Sequence, residues 1–165
     1  MTNLASFSLL KEKVNKYQQD NSLEEASLAF NWLALEVILG LNADEIEEAI
    51  TDGPMDGGID AIYVSSRTVH IFNFKYTSEF AHTKNRFPEG ETSKVLVTME
   101  SVFSKEMLQD DVNAALWDKI NEIWDAFEQG SLNFRFYLCS NVTVAQSEPK
   151  SFRSAQNSNF DKRIY

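Results

Sequence analysis

Apolar positions along this chain change their spacing several times, and each change marks an element. Phe7, Leu10, Val14 and Tyr17 recur three or four residues apart, the period of one helix face, and predict a helix over 4–18. Ser22 followed three residues later by Glu25 has capping-box spacing and predicts a second helix from about Leu23 to Leu39, stopping at Gly40. Asn42 and Glu45 repeat that signature before a short third helix, 43–50. The stretch "TDGPMDGG" (51–58) then ends helical patterning. Two strands follow, about 59–64 and 68–76, and a polar loop, "TSEFAHTKNRFPEGE" (77–91). Helical spacing resumes near Ser93 and is clearest in the stripe Val112, Leu116, Ile120, Ile123, Trp124 and Phe127, with Gly130 as the stop. "NFRFYLCS" (133–140) predicts a third strand, and the tail beyond Asn141 reads as loop and helix. This order predicts an α/β fold, a small mixed sheet flanked by helices.

The two middle strands fix a finer expectation. With the hairpin turn centred between Ser66 and Arg67, Asp60 falls opposite Asn73, and Asn73 and Lys75 share a side of their strand. Asp60, Asn73 and Lys75 would then gather on one face, in a hairpin apolar enough on both faces to be covered on both. A slip of one residue would scatter them. Glu36 has Trp32, Leu33, Leu39 and Gly40 as its helical neighbours, so it is expected among apolar residues, where a carboxylate needs a cation or a partner.

The totals bound these readings. A chain of 165 residues, 43% hydrophobic, suits one domain spanning 1–165 with a real core. No signal peptide and no run of about 18 apolar residues is present, so no membrane partner is expected. The single cysteine, Cys139, excludes an internal disulfide and a multi-cysteine zinc site, and fits a cytoplasmic setting. The absence of a closing element after Asn141 leads us to expect the N-terminal piece of a longer protein. The net charge of −10 is uneven: eleven acids and no Lys or Arg lie between Tyr17 and Ser66. Such a surface argues against phosphate contacts there.

Glu36 on an early helix, "GGID" with Asp60, and "NFK" late in a strand resemble the PD-(D/E)xK nuclease superfamily. The wording "TDGPMDGGIDAIYV…IFNFKY" is similar to the N-terminal part of abortive phage infection (AIPR-type) proteins, and more distantly to Mrr-type restriction enzymes. The match runs over about 23–76 and is loose beyond. The resemblance implies a restriction-endonuclease-like core, Mg²⁺ (or Mn²⁺ in its place), and metal-dependent hydrolysis of DNA in phage defence. It implies Asp60 as the central metal ligand, Glu36 as a second, and the Asn73 side chain and Phe74 carbonyl completing the set. Lys75 would orient the attacking water or stabilise the transition state, so that Asp60, Asn73, Lys75 and Glu36 form the catalytic group. Gly57, Gly58, Lys84 and Arg86 are the expected DNA contacts. Asn73 departs from the acid or Gln usual at its position, which removes a charge; Asp56, four residues before Asp60, is a compensating candidate and equally a turn residue.

Other readings stand beside this one. Lys75 also suits a strand-edge lysine, Asp60 and Lys75 a structural ion pair, and Glu36 a solvent-facing helix turn. The acidity and Asn73 favour a non-catalytic module of the same fold that binds a protein or nucleic acid, or pairs as a homodimer. An acidic mimic of DNA, using residues 17–66, is a third.

Overall fold

A computed structural model of the chain describes residues 3–85, 89–142 and 160–164. The elements are α1 (Leu4–Asp20), α2 (Ala26–Leu39), α3 (Ala43–Ala49), β1 (Ala61–Ser65), β2 (Thr68–Lys75), a 3₁₀ turn (Phe80–Lys84), α4 (Glu89–Phe103), a second 3₁₀ turn (Gln109–Asp111), α5 (Ala114–Glu128), β3 (Asn133–Ser140) and β4 (Phe160–Ile164). The protein is α/β; the described residues form five α-helices and a small mixed sheet in the strand order β1-β2-β3-β4. β1 pairs antiparallel with β2, and β3 pairs parallel with β4.

Local chemistry sets the helix ends. Asn42 and Glu45 form the expected box: Glu45 N–H donates to Asn42 Oδ1 at 3.0 Å, and Asn42 N–H to Glu45 Oε2 at 2.9 Å. α2 starts three residues later than its spacing predicts. Ser22 sits at φ +53°, outside the extended conformation an N-cap needs, and Glu25 takes the cap position without a side-chain bond. α2 does end at Gly40, whose φ of +69° is the left-handed conformation a helix C-terminus favours. The predicted tail helix is overturned at Phe160–Ile164, whose backbone lies parallel to Phe134–Leu138 as β4. Its run Asp161, Lys162, Arg163 carries no alternation from which a strand could be read in the sequence.

The chain divides into two compact units, Met1–Glu48 with Phe74–Phe87 and Cys139–Gln146, and Ala49–Asn73 with Pro88–Leu138 and Ser147–Tyr165. In the first, α1 packs on α2. Phe7 meets Phe80 edge-on at 5.4 Å, and Phe30 stacks on Tyr76 at 5.1 Å. Asn141 bonds the Thr77 amide and carbonyl with its two side-chain ends.

In the second, Leu116, Ile120 and Ile123 of α5 are fully buried, as the stripe predicts, each contributing roughly 1.5–3 kcal/mol. Val69 to Asn73 of β2 are all buried, so this part of the hairpin is covered on both faces as expected. Phe72 and Tyr137 stack face to face at 4.4 Å between neighbouring strands. Arg67 at the hairpin turn donates to the Ala126 and Ser131 carbonyls, tying the turn to the end of α5. Among the described residues no single helix is long and apolar enough to cross a membrane.

Candidate functional site

The chain from Thr51 to Asp60 forms a loop closed on itself. The Thr51 and Asp52 amides both donate to the Asp60 carbonyl, at 2.9 and 3.1 Å. Thr51 Oγ1 donates to the Ile59 carbonyl at 2.7 Å. Inside the loop the Asp56 carboxylate accepts from the Gly58 amide at 2.8 Å and the Gly53 amide at 3.3 Å, the turn chemistry of a short acidic side chain.

Neighbouring elements hold five further carbonyls, those of Thr51, Pro54, Met55, Gly57 and Gly58. Asn113, which caps α5 through its Oδ1, donates its Nδ2 to the Thr51 and Pro54 carbonyls and its backbone amide to that of Met55. Thr98 Oγ1 on α4 donates to the Gly57 carbonyl at 2.9 Å. Asn73 Nδ2 on β2 donates to the Gly58 carbonyl at 2.6 Å. The glycine pair is required here: at φ +62° and +80° both adopt left-handed backbone, and a Cβ on Gly57 would lie 2.5 Å from Thr98 Oγ1.

This frame brings three carboxylates together. Asp52 is exposed, Asp56 and Asp60 are half-buried, and one oxygen from each lies within 4.8 Å of the others. Oxygens sharing one Mg²⁺ at ~2.1 Å lie ~3.0 Å apart where adjacent and ~4.2 Å apart only where opposite, so these carboxylates would have to close in by up to about 1.8 Å to share an ion. The donor set, hard anionic oxygens on a braced backbone, fits a divalent cation. Each pair of like charges at this range costs about 1 kcal/mol in water, and more where water is partly excluded.

The hairpin register is the predicted one through its described rungs, Ala61↔Phe72 to Ser65↔Thr68, with Ser66 and Arg67 at the turn. The rung expected between Asp60 and Asn73 is not part of this ladder. The Asp60 amide donates to the Phe72 carbonyl, so Asp60 and Ala61 both fall opposite Phe72, in the manner of a bulge. The cause is the loop: the Thr51 and Asp52 amides engage the Asp60 carbonyl and draw it off the ladder.

The other expected residues are placed as follows. Asn73 is buried, 3% exposed, with its amide on Gly58. Lys75 is exposed at the end of β2, and Phe74 is half-buried with its ring edge-on to Phe30. Glu36 is exposed, and Tyr17 Oη donates to its Oε2 at 2.6 Å. The apolar surroundings expected for Glu36 are therefore corrected: it shares an outward face of α2 with Val37, which is 75% exposed, and a phenol serves as its partner. Burial, then the Glu36 hydrogen bond and charge, hold the Tyr17 phenol well above its usual range. Gly58 is buried and Gly57 half-buried, both close against α4; Lys84 is exposed on the 3₁₀ turn; Arg86 lies outside the described residues. Glu36, Phe74, Lys75 and Lys84 belong to the first unit, and Asp60, Asn73, Gly57 and Gly58 to the second.

Sequence reasoning missed several residues. Asp52 counts there only as part of the acidic run, although Asp52, Asp56 and Asp60 recur every fourth residue between glycines. Asn113 and Thr98 carry no signal as loop braces, since their partners are carbonyls about 40 to 60 residues away in sequence. His70 is buried in the same unit, with Nδ1 2.9 Å from Tyr137 Oη. Burial, then the Arg135 charge, lower its pKa to about 4. Comparison of the chain with family models, curated proteins and solved structures finds no match.

Proposed function

We propose that this protein is a Mg²⁺-dependent DNA nuclease of the PD-(D/E)xK type, built on a restriction-endonuclease-like core and acting in phage defence in the cytoplasm. The observation that carries the reading is the braced loop presenting Asp52, Asp56 and Asp60 within 4.8 Å of one another. The resemblance of "GGID" and "NFK" to the superfamily's motif supplies the reaction class.

In this reading Asp60 is the central ligand and Asp56 and Asp52 complete the anionic set, with Asp56 supplying the charge that Asn73 lacks. Glu36 and the Phe74 carbonyl are named as further ligands by the resemblance alone, and Tyr17 donates its phenol hydrogen to Glu36. The bound cation supplies charge neutralisation at the phosphate and makes a nearby water more acidic. Lys75, a flexible point charge at a strand end, orients the scissile phosphate or the attacking water. Lys84 and Arg86 contribute DNA contacts in an otherwise acidic chain.

Incubating the protein with plasmid and single-stranded DNA tests this directly. Cleavage with Mg²⁺ or Mn²⁺, none with a chelator, and a loss of roughly 10²-fold or more in Lys75→Ala and Asp60→Ala are expected. Full activity in Lys75→Ala would remove the assigned role. A second reading, a non-catalytic module of this fold, is favoured by the exposure of Glu36 and the commitment of the Asn73 amide to Gly58. Metal-independent partner binding without cleavage would support that alternative.

A further inference from the structure

The geometry points to Asn73 as a positioning residue: its side-chain amide holds the acid-bearing loop by the Gly58 carbonyl, and that contact calls for a donor at a place where the motif allows an acid. For its consequence at the cation, the inference rests on the metal-site reading above. Its structural part stands on the hydrogen bond alone.

Asn73 is 3% exposed, and its Nδ2 lies 2.6 Å from the Gly58 carbonyl oxygen. A carbonyl only accepts, so the side-chain end that faces it must be the NH₂ end. Gly58 is thereby held on both sides. Its carbonyl accepts from Asn73, and its amide donates to Asp56 Oδ1 at 2.8 Å. The next residue continues the chain of contacts: the Ile59 amide donates to the Asp56 carbonyl, and the Ile59 carbonyl accepts from Thr51 Oγ1. Asp60 follows, its carbonyl taken by the Thr51 and Asp52 amides. All three acids are thus one or two hydrogen bonds from the Gly58 peptide.

A carboxylate at position 73 has no hydrogen to donate. It would set an anionic oxygen against the Gly58 carbonyl oxygen at a buried position, where burying charge without a partner is most costly. The motif's acid and this loop's brace are therefore mutually exclusive. In this chain the brace is present and the third carboxylate comes from the loop.

The experiment compares the parent with Asn73→Asp and Asn73→Ala. The second removes the bond without introducing a charge and serves if the first does not fold. Amide hydrogen exchange of Gly53 and Gly58, followed by NMR without metal, reads the loop. Affinity for Mn²⁺ alone, from the electron paramagnetic resonance of the free ion, reads the acids. Ile120→Val, which lowers stability in the α5 core away from the loop, is the control. Exchange about tenfold faster or more at Gly58 in both Asn73 variants is expected from the lost bond. Mn²⁺ binding should weaken in both by about tenfold, while Ile120→Val keeps parental affinity. Tighter Mn²⁺ binding by Asn73→Asp than by the parent would overturn the inference, because position 73 would then be a ligand position. Unchanged exchange at Gly58 would overturn it too. A parent that binds no Mn²⁺ removes the metal-site reading, and the exchange comparison still decides the role of Asn73.

Discussion

Replacing Gly57 by alanine is a direct test of how the acid-bearing loop is held, because the structure specifies two separable costs. Gly57 has φ +62°, and an alanine there pays about 1–2 kcal/mol for left-handed backbone. The added Cβ would also lie 2.5 Å from Thr98 Oγ1 and 2.8 Å from Thr98 Cγ2. Thr98 must then leave its rotamer, at ~1 kcal/mol, and its bond to the Gly57 carbonyl, at ~1 kcal/mol. Gly57→Ala should therefore cost roughly 3–4 kcal/mol. Thr98→Ala alone loses the same hydrogen bond and should cost about 1–1.5 kcal/mol. In the double variant the colliding atoms are absent and the shared bond is lost once, so the total should fall short of the sum by at least about 1 kcal/mol. Urea denaturation in a Trp32→Phe background, followed by the fluorescence of Trp117 and Trp124, whose rings meet edge-on at 5.6 Å in α5, reports on the unit that holds this loop. Additivity within about 0.5 kcal/mol would refute the argument, since it would mean that residue 57 and Thr98 do not meet. A cost for Gly57→Ala below about 1 kcal/mol would refute the backbone part as well.

Two further outcomes follow from single side chains. His70 is held neutral, its pKa lowered from 6.5 to about 4, so its contribution is fully present above pH 6.5 and is lost as pH falls towards 4. With solvent screening allowed for, the urea midpoint should drop across that window by the equivalent of about 1–2 kcal/mol, and His70→Gln should flatten the drop; parallel pH profiles would contradict the assignment. Asn113 has two jobs at opposite ends of its amide. Asn113→Ser keeps a helix-capping oxygen and loses the loop donors, whereas Asn113→Ala loses both, so the alanine variant should be less stable by about 1 kcal/mol while the two show similar exchange at the loop amides.

The fold was legible where one element carries one period. α5 shows its face because Leu116, Ile120 and Ile123 point at a single core, and α3 shows its start because Asn42 and Glu45 satisfy each other locally. The hairpin register was legible from Ser65↔Thr68 to Ala61↔Phe72, because a two-residue turn fixes the pairs next to it as far as the bulge at Asp60. α2 was misplaced at its start because Ser22 and Glu25 have the spacing of a box, but spacing does not fix backbone conformation, and Ser22 is left-handed. β4 was hidden because three charged residues in a row carry no alternation; its pairing is set by the backbone of β3.

The candidate site was half legible for a different reason. A motif records which residue types recur, whereas the loop is organised by carbonyl groups, which every residue has and no sequence pattern reveals. Asp60 could be found from "GGID", yet its departure from the ladder depends on two amides at Thr51 and Asp52 taking its carbonyl. Glu36 was singled out by the motif, but its partner could not be read from the sequence, because Tyr17 reaches it from another helix. Asn73 shows the limit most sharply. By type it reads as an acid weakened to an amide; by contact it is a donor placed where an acid cannot go. A motif departure is thus better judged by what the side chain must donate or accept than by the charge it lacks. Asn73→Asp separates these two accounts because they predict opposite changes in affinity for Mn²⁺.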